Sequence, residues 1–202
     1  MQGRIGEITI LVLVLLTTAA GCSRSAPTRF YLLSDSTGAE FNARVSASGP
    51  CMTLGIGPVE MPDYLDRPQI VTQVSPHEIR LGDFDQWAEP LAKTITRVMA
   101  ENLAKLLCVD AVFFHPSEPA GIDYQVMVTL TRFQGVPDGS VVLAAQWHIA
   151  EGGSRKVLAG KRTTIRETLE GEGYAALVAA QSRALARLSG EIAEALSAAP
   201  KP

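Results

Sequence analysis

The chain has 202 residues, a formal net charge of −3 and 47% hydrophobic residues. That length suits one domain with a core of its own, and the acidic balance leaves no basic field to hold nucleic acid or clamp a broad anionic lipid surface. Three histidines far apart and three cysteines without paired spacing provide no zinc framework.

A positive start (the amino group and Arg4), an apolar run from Ile8 and a small-residue site ending at Gly21 predict a secretory signal peptide over residues 1–21. The run falls far short of the roughly 20 residues that cross a bilayer as a helix. Ala20-Gly21-Cys22 resembles a bacterial lipobox, in which the cysteine is lipidated and becomes the new first residue. That resemblance implies a covalent N-acyl diacylglycerol on Cys22. Ser23 stands where Asp would signal retention in the inner membrane, so the same resemblance implies delivery to the outer membrane, facing the periplasm. Removing residues 1–21 takes Arg4 and Glu7 together and leaves the net charge unchanged. Residues 22–29 then read as lipidated cysteine and short tether, 30–198 as a single domain and 199–202 as a disordered tail. The tether reaches at most about 25 Å when extended.

Phe30-Tyr31-Leu32-Leu33 predicts a first strand, followed by a flexible stretch, Ser34–Pro50. Met52–Val59 alternates as a strand, Met61-Pro62-Asp63 breaks it, and Gln69–Val74 is again extended. Glu78–Leu81 reads as a short strand before a loop, Gly82-Asp83-Phe84-Asp85. Pro90 fits the first position of a helix, where its missing N–H costs nothing. Leu91, Ile95, Val98, Met99, Leu103, Leu106 and Leu107 then form an amphipathic stripe. Val109–Phe114 is a short apolar strand. Tyr124–Thr131, Val141–Ile149 and Val157–Arg166, separated by Pro137-Asp138-Gly139 and Gly152-Gly153, predict an antiparallel meander. A closing helix carries Tyr174, Leu177, Val178, Gln181, Leu185, Leu188, Ile192 and Leu196 on one face. The fold class expected is α+β: a mostly antiparallel mixed sheet with two long amphipathic helices packed on one face.

With Cys22 committed to lipid, Cys51 and Cys108 form an even pair in an oxidising compartment, either bridged or left as buried thiols. His77, His115 and His148 suit solvated or strand-edge positions, and there is no nucleophile elbow, phosphate-cradling glycine loop or acidic calcium cluster. A non-enzyme is therefore expected, with no catalytic residues and no metal. Two segments are over-specified for a plain scaffold. In Pro58–Pro68, Tyr64 and Leu65 either contact a partner or tuck under the domain, with Asp66 and Arg67 pairing locally in the second case. In Phe84–Leu91, Trp87 anchors either the helix start or a partner. Gln181, an amide on an apolar stripe, belongs to a core edge or to an interface.

These segments carry a family resemblance. Gly57–Val71 (Gly-Pro-Val-Glu-Met-Pro-Asp-Tyr-Leu-Asp-Arg-Pro-Gln-Ile-Val), Trp87-Ala88-Glu89-Pro90-Leu91, the helix Tyr174–Ser182 and the opening Phe30–Leu33 are similar to the auxiliary lipoproteins of ABC-type transport systems, the PqiC-like family. The resemblance implies a non-catalytic subunit of an MCE-type lipid transport system at the outer membrane. Its partners would be MCE-domain periplasmic proteins, inner-membrane transport components and, in a homo-oligomer, copies of itself. It carries over no catalytic residues, only motif positions as candidate contacts: Tyr64, Leu65, Asp66, Arg67, Trp87 and Gln181. A periplasmic lipoprotein that itself binds a lipid or apolar ligand, and a lipoprotein regulator of envelope assembly, are the alternative readings.

Overall fold

Alternation sets the centre of the sheet. In the computed structural model, which describes residues 26–35, 51–115, 121–136 and 138–200, strand β6 (Tyr124–Val136) buries Tyr124, Val126, Val128 and Leu130 and turns Gln125, Met127 and Thr129 outward. Cys22, the segment read as a signal peptide and most of Ser34–Pro50 lie outside the described residues. β7 (Ser140–Glu151) and β8 (Val157–Thr168) follow β6 as the expected meander, antiparallel along nearly their whole length.

The other side of β6 is shared. β2 (Met52–Glu60) pairs in parallel with its first half, and β3 (Gln69–Ser75) meets its far end, Thr72 opposite Gly135. β5 (Val109–Phe114) extends the sheet beyond β2 in parallel. On the β3 side, β4 (Glu78–Trp87) pairs antiparallel with β3, and β1 (Arg29–Tyr31) runs parallel to the end of β4. The mixed eight-stranded sheet of the described residues carries helix α1 (Leu91–Leu106) and helix α2 (Gly173–Ala198) against each other and against one face.

Both helices owe their place to their stripes. α1 buries Leu91, Ile95, Val98, Met99, Leu103 and Leu106, and α2 buries Leu177, Val178, Leu185, Leu188, Ile192 and Leu196. Each such side chain contributes about 1.5–3 kcal/mol on leaving water. Pro90 precedes α1 and its carbonyl accepts from the Lys93 and Thr94 amides. One polar pair crosses the buried helix–helix seam, with Asn102 Nδ2 donating to Ser189 Oγ at 3.3 Å.

Some boundaries differ from expectation. Residues 82–85 belong to β4 and are not a loop. The ladder with β3 is irregular there, jumping from Gln69↔Gln86 to Val71↔Leu81, so β4 bulges while remaining extended. Gly82 sits in the bulge, where a Cβ would fall 2.8 Å from the Asp85 carbonyl oxygen. β6 runs five residues past Thr131 because a register shift between Leu130 and Arg132 reverses the alternation, moving the buried set to Phe133. β1 ends at Tyr31, leaving Leu32 exposed and Leu33 in the core. The tail read as disordered is held at its start, since the Tyr124 hydroxyl donates to the Pro200 carbonyl at 2.9 Å.

Cys51 and Cys108 are joined by a disulfide with Cα atoms 4.4 Å apart. They precede neighbouring parallel strands, and the Met52 amide donates to the Cys108 carbonyl at 3.0 Å. The bridge ties the start of β2 to the exit of α1.

Candidate docking surface

The two motif-bearing segments meet in space. After β2 the chain turns through Asp63–Leu65, with the Leu65 and Asp66 amides donating to the Pro62 carbonyl at 2.8 and 3.3 Å. The turn delivers Pro68 to the end of β4, where the Trp87 amide donates to its carbonyl at 2.7 Å. The Ala88 amide continues to the Tyr31 carbonyl at 2.9 Å, so β1 closes the same corner. Between the segments lies a cleft of about 320 Å³ lined by Asp66, Arg67, Pro68, Trp87, Ala88, Glu89 and Pro90.

Glu89 also lines a second cleft, of about 510 Å³, between the ends of β2 and β5 and the first turns of α1. Its walls are largely apolar, including Ile56, Pro58, Val59, Ala92 and Phe114, with Lys93, Arg97 and His115 at polar positions. Gly57 gives this corner its shape. Its φ of 103° suits glycine, and a Cβ there would press on the His115 Cβ at 3.1 Å. Arg97 holds Glu89 and Glu101 at 3.1 Å each. The Glu89 hydrogen bond is the main influence raising its guanidinium pKa. These half-exposed pairs orient the side chains and add little to stability.

The candidate contacts divide between core and rim. Trp87 is 6% exposed and belongs to the core, as does Leu65. Gln181 is 1% exposed, with Nε2 donating to the Phe133 carbonyl at 3.0 Å and Oε1 without a partner. These three, expected as contacts, are buried supports: Leu65 and Gln181 are enclosed in the core, and Trp87 shows only a small part of its surface, at the floor of the cleft. Tyr64 is half-buried, and its hydroxyl donates to Gln134 Oε1 at 2.9 Å. Asp66 is exposed and Arg67 half-buried. Arg67 makes no ion pair among the described residues, and its Nε is buried without a hydrogen-bond partner. The apolar cleft beside Glu89 takes Gly57, Pro58, Val59 and Glu89 from the two motifs, and its other walls come from β5 and the α1 face, remote in sequence.

A charged cluster fixes β1 at this corner. The buried Asp85 carboxylate accepts from Arg29 at 2.8 Å and from the Tyr31 hydroxyl at 2.8 Å. Hydrogen bonding to Asp85 raises the Arg29 pKa. Burial, then the bond to Asp85, raises that of Tyr31. Burial also raises the phenols of Tyr64, Tyr124 and Tyr174 above their ordinary value of 10.0. A raised phenol favours the neutral form in the fold, so this stabilisation is complete below the ordinary value and disappears as pH rises through the folded values. Ultraviolet titration of the native protein is expected to show the four tyrosines ionising later than free tyrosine, together with falling stability; ionisation at the free value without loss of stability would contradict the assignment.

Gln181 allows a second check. Gln181→Ala removes the partner of the Phe133 carbonyl and leaves a void, with an expected cost of about 2 kcal/mol in urea unfolding. Gln181→Met, which fills the space, should cost less; equal losses would show that packing is not involved.

Among the described residues no His, Cys, Asp and Glu cluster is placed to hold a metal. His77 lies in the exposed β3–β4 turn, His115 lines the cleft beside α1, and His148 Nε2 lies 3.3 Å from Gln146 Nε2 on the sheet. Among the described residues no helix is long and apolar enough to cross a membrane.

Comparison with known proteins gives this surface a context. The intermembrane transport lipoprotein PqiC of Escherichia coli K12 is 28% identical over 138 residues, covering 68% of this chain and 71% of PqiC. PqiC of Shigella flexneri has the same identity and coverage. A crystal structure of an uncharacterized protein superposes with a TM-score of 0.66 at 23% identity, covering 85% of this chain and 99% of that one. A Xanthomonas campestris protein gives 0.62 at 15% identity, covering 85% and 93%. These two structures share the fold. Residues 31–193 match the family model described as the ABC-type transport auxiliary lipoprotein component, and the chain belongs to that family.

Proposed function

We propose that this protein is a non-catalytic docking subunit of an intermembrane lipid transport system. Lipid on Cys22 holds it at the periplasmic face of the outer membrane, where it receives the end of an MCE-domain assembly served by inner-membrane transport components. The observation that carries this reading is the convergence of Pro58–Pro68 and Trp87–Pro90 on one surface, joined by the Trp87–Pro68 backbone bond. Similarity to PqiC, named as an intermembrane transport lipoprotein, supports the transport context. Buried Trp87 and Leu65 hold the surface rigid, while Asp66, Glu89 and Lys93 supply charge and the cleft beside α1 supplies apolar walls. A homo-oligomer belongs to the same reading, since a symmetric MCE assembly is readily met by a ring of copies.

The test is capture from detergent-solubilised envelope with the full chain as bait. The expected result is recovery of MCE-domain proteins, lost when the exposed charges are reversed in Asp66→Lys with Lys93→Glu. Recovery of cell-wall synthases in their place, or capture indifferent to the reversal, would reject the docking surface.

A further inference from the structure

We infer that the β1–β4 corner is a membrane-contacting surface, and that the occupant of its exposed apolar patch is the leaflet in which the Cys22 lipid is inserted. Phe30 is 64% exposed, Leu32 51% and Phe84 39%. Phe30 pairs with Gln86, and Phe84 precedes Gln86 by two residues, so Phe30 and Phe84 lie on the same outward face of the β1–β4 ladder. The opposite face carries Tyr31, Asp85 and Trp87 into the protein. Phe30 and Leu32 are thus outward by the same geometry that sends Tyr31 and Leu33 inward.

The length of chain leading to the patch selects its occupant. Cys22 lies eight positions before Phe30, and residues 23–29 reach at most about 25 Å. A leaflet at one end of that tether is therefore always close to the patch at the other. Three large apolar side chains beside a basic residue have the composition that beds into the boundary of headgroups and acyl chains. Arg29, next to Phe30 in the chain and on the other face of β1, supplies the cation from the sheet edge: its side chain remains 65% exposed while it pairs with Asp85. A second copy of the chain is less well served, because β1 offers only three residues of ladder at this edge. Anchor and patch together would hold the domain in one orientation, with the Asp66–Pro90 cleft beside the leaflet, since the Ala88 amide bonds to Tyr31 at the end of the same strand.

This inference rests on the lipidation of Cys22 for its reason but not for its test. The full chain is expressed in a Gram-negative host with a photo-crosslinking p-benzoylphenylalanine at position 30 or 84. Val157, exposed at the start of β8 across the sheet, is the control position. Incorporation of a palmitate analogue is measured in the same cells. Phospholipid adducts in several-fold excess at 30 and 84 over 157 are the expected result. Adducts to another protein or to a second copy, or no excess of lipid adducts, would overturn the inference whatever the palmitate result. Lipid adducts without palmitate incorporation would uphold the patch and reject the anchor; palmitate incorporation without adducts would do the reverse.

Discussion

Cys22→Ser is expected to move the protein from the membrane fraction to the soluble periplasm and to abolish rescue of an envelope-barrier defect, with its folding intact. The argument is one of scale. Each buried methylene of an acyl chain contributes about 0.8 kcal/mol; a single chain anchors only reversibly, and several chains anchor firmly. Replacing the acceptor sulfur removes all of them at once, and three apolar side chains at the β1–β4 corner are too few to compensate. With Cys22 read as the head of a tether that precedes the first strand, circular dichroism and the urea midpoint are expected not to change. Fractionation and a detergent-sensitivity assay read the two outcomes separately. Full rescue by the soluble form would mean that capture of a partner suffices and that membrane placement is not the function.

The second large effect concerns stability. Removing the Cys51–Cys108 bridge in a Cys51→Ser, Cys108→Ser chain frees residues 57 apart in sequence. The chain-entropy model gives a loss of about 4 kcal/mol for a loop of that length. Against a typical domain stability of about 5–15 kcal/mol, that brings the protein close to its folding threshold. Urea unfolding of the oxidised chain and the double variant measures the difference, and reducing agent should reproduce most of it. A loss below about 1 kcal/mol would show that the unfolded chain is already restrained, or that strain offsets the entropy. The parallel pairing of Met52 with Val109 should persist without the bridge, because core residues such as Leu54 and Ile56 hold β2 from the helix side.

Periodicity made much of this architecture legible. The stripe from Leu91 to Leu106 and the alternation from Tyr124 to Leu130 each have a single regular solution, and the structure adopts it. What escaped was local irregularity. At Thr131 one extra residue exchanges inward and outward positions, and a pattern read by parity stops there although the strand continues to Val136. At Gly82–Asp85 a polar, glycine-containing stretch resembles a loop, yet its Asp85 carboxylate is satisfied by Arg29 and Tyr31 and its backbone remains in the sheet.

The candidate surface was legible as composition and not as placement. Its motifs marked two segments that the fold brings together, but residue type alone does not say which side of a layer a side chain faces. Trp87 and Leu65 turned inward, where their apolar area is worth most, and left the polar rim of the cleft to Asp66, Arg67 and Glu89. Gln181 followed the apolar stripe it lies on and found the Phe133 carbonyl. The meeting of Pro68 with Trp87 depends on the β3–β4 hairpin continuing past the bulge at Gly82–Asp85, a stretch whose polar composition reads as a loop.

The short strand β1 also has a mechanical consequence. Any tension in a lipid tether enters the described fold at its first strand, running along a three-residue ladder parallel to β4. Force in that direction shears the pairings together instead of peeling them one by one, and the Arg29–Asp85 pair at the entry takes it first. Beyond the strand, buried Leu33 acts as a stop, and the Ser34 amide, bonded to Ser182 Oγ at 3.2 Å, passes the remaining load to α2. From there the Asn102–Ser189 contact couples α2 to α1, the helix whose first turns wall the larger cleft. On the docking proposal, a pull between membrane and partner would be borne across the helix layer, in line with the structure that must resist it.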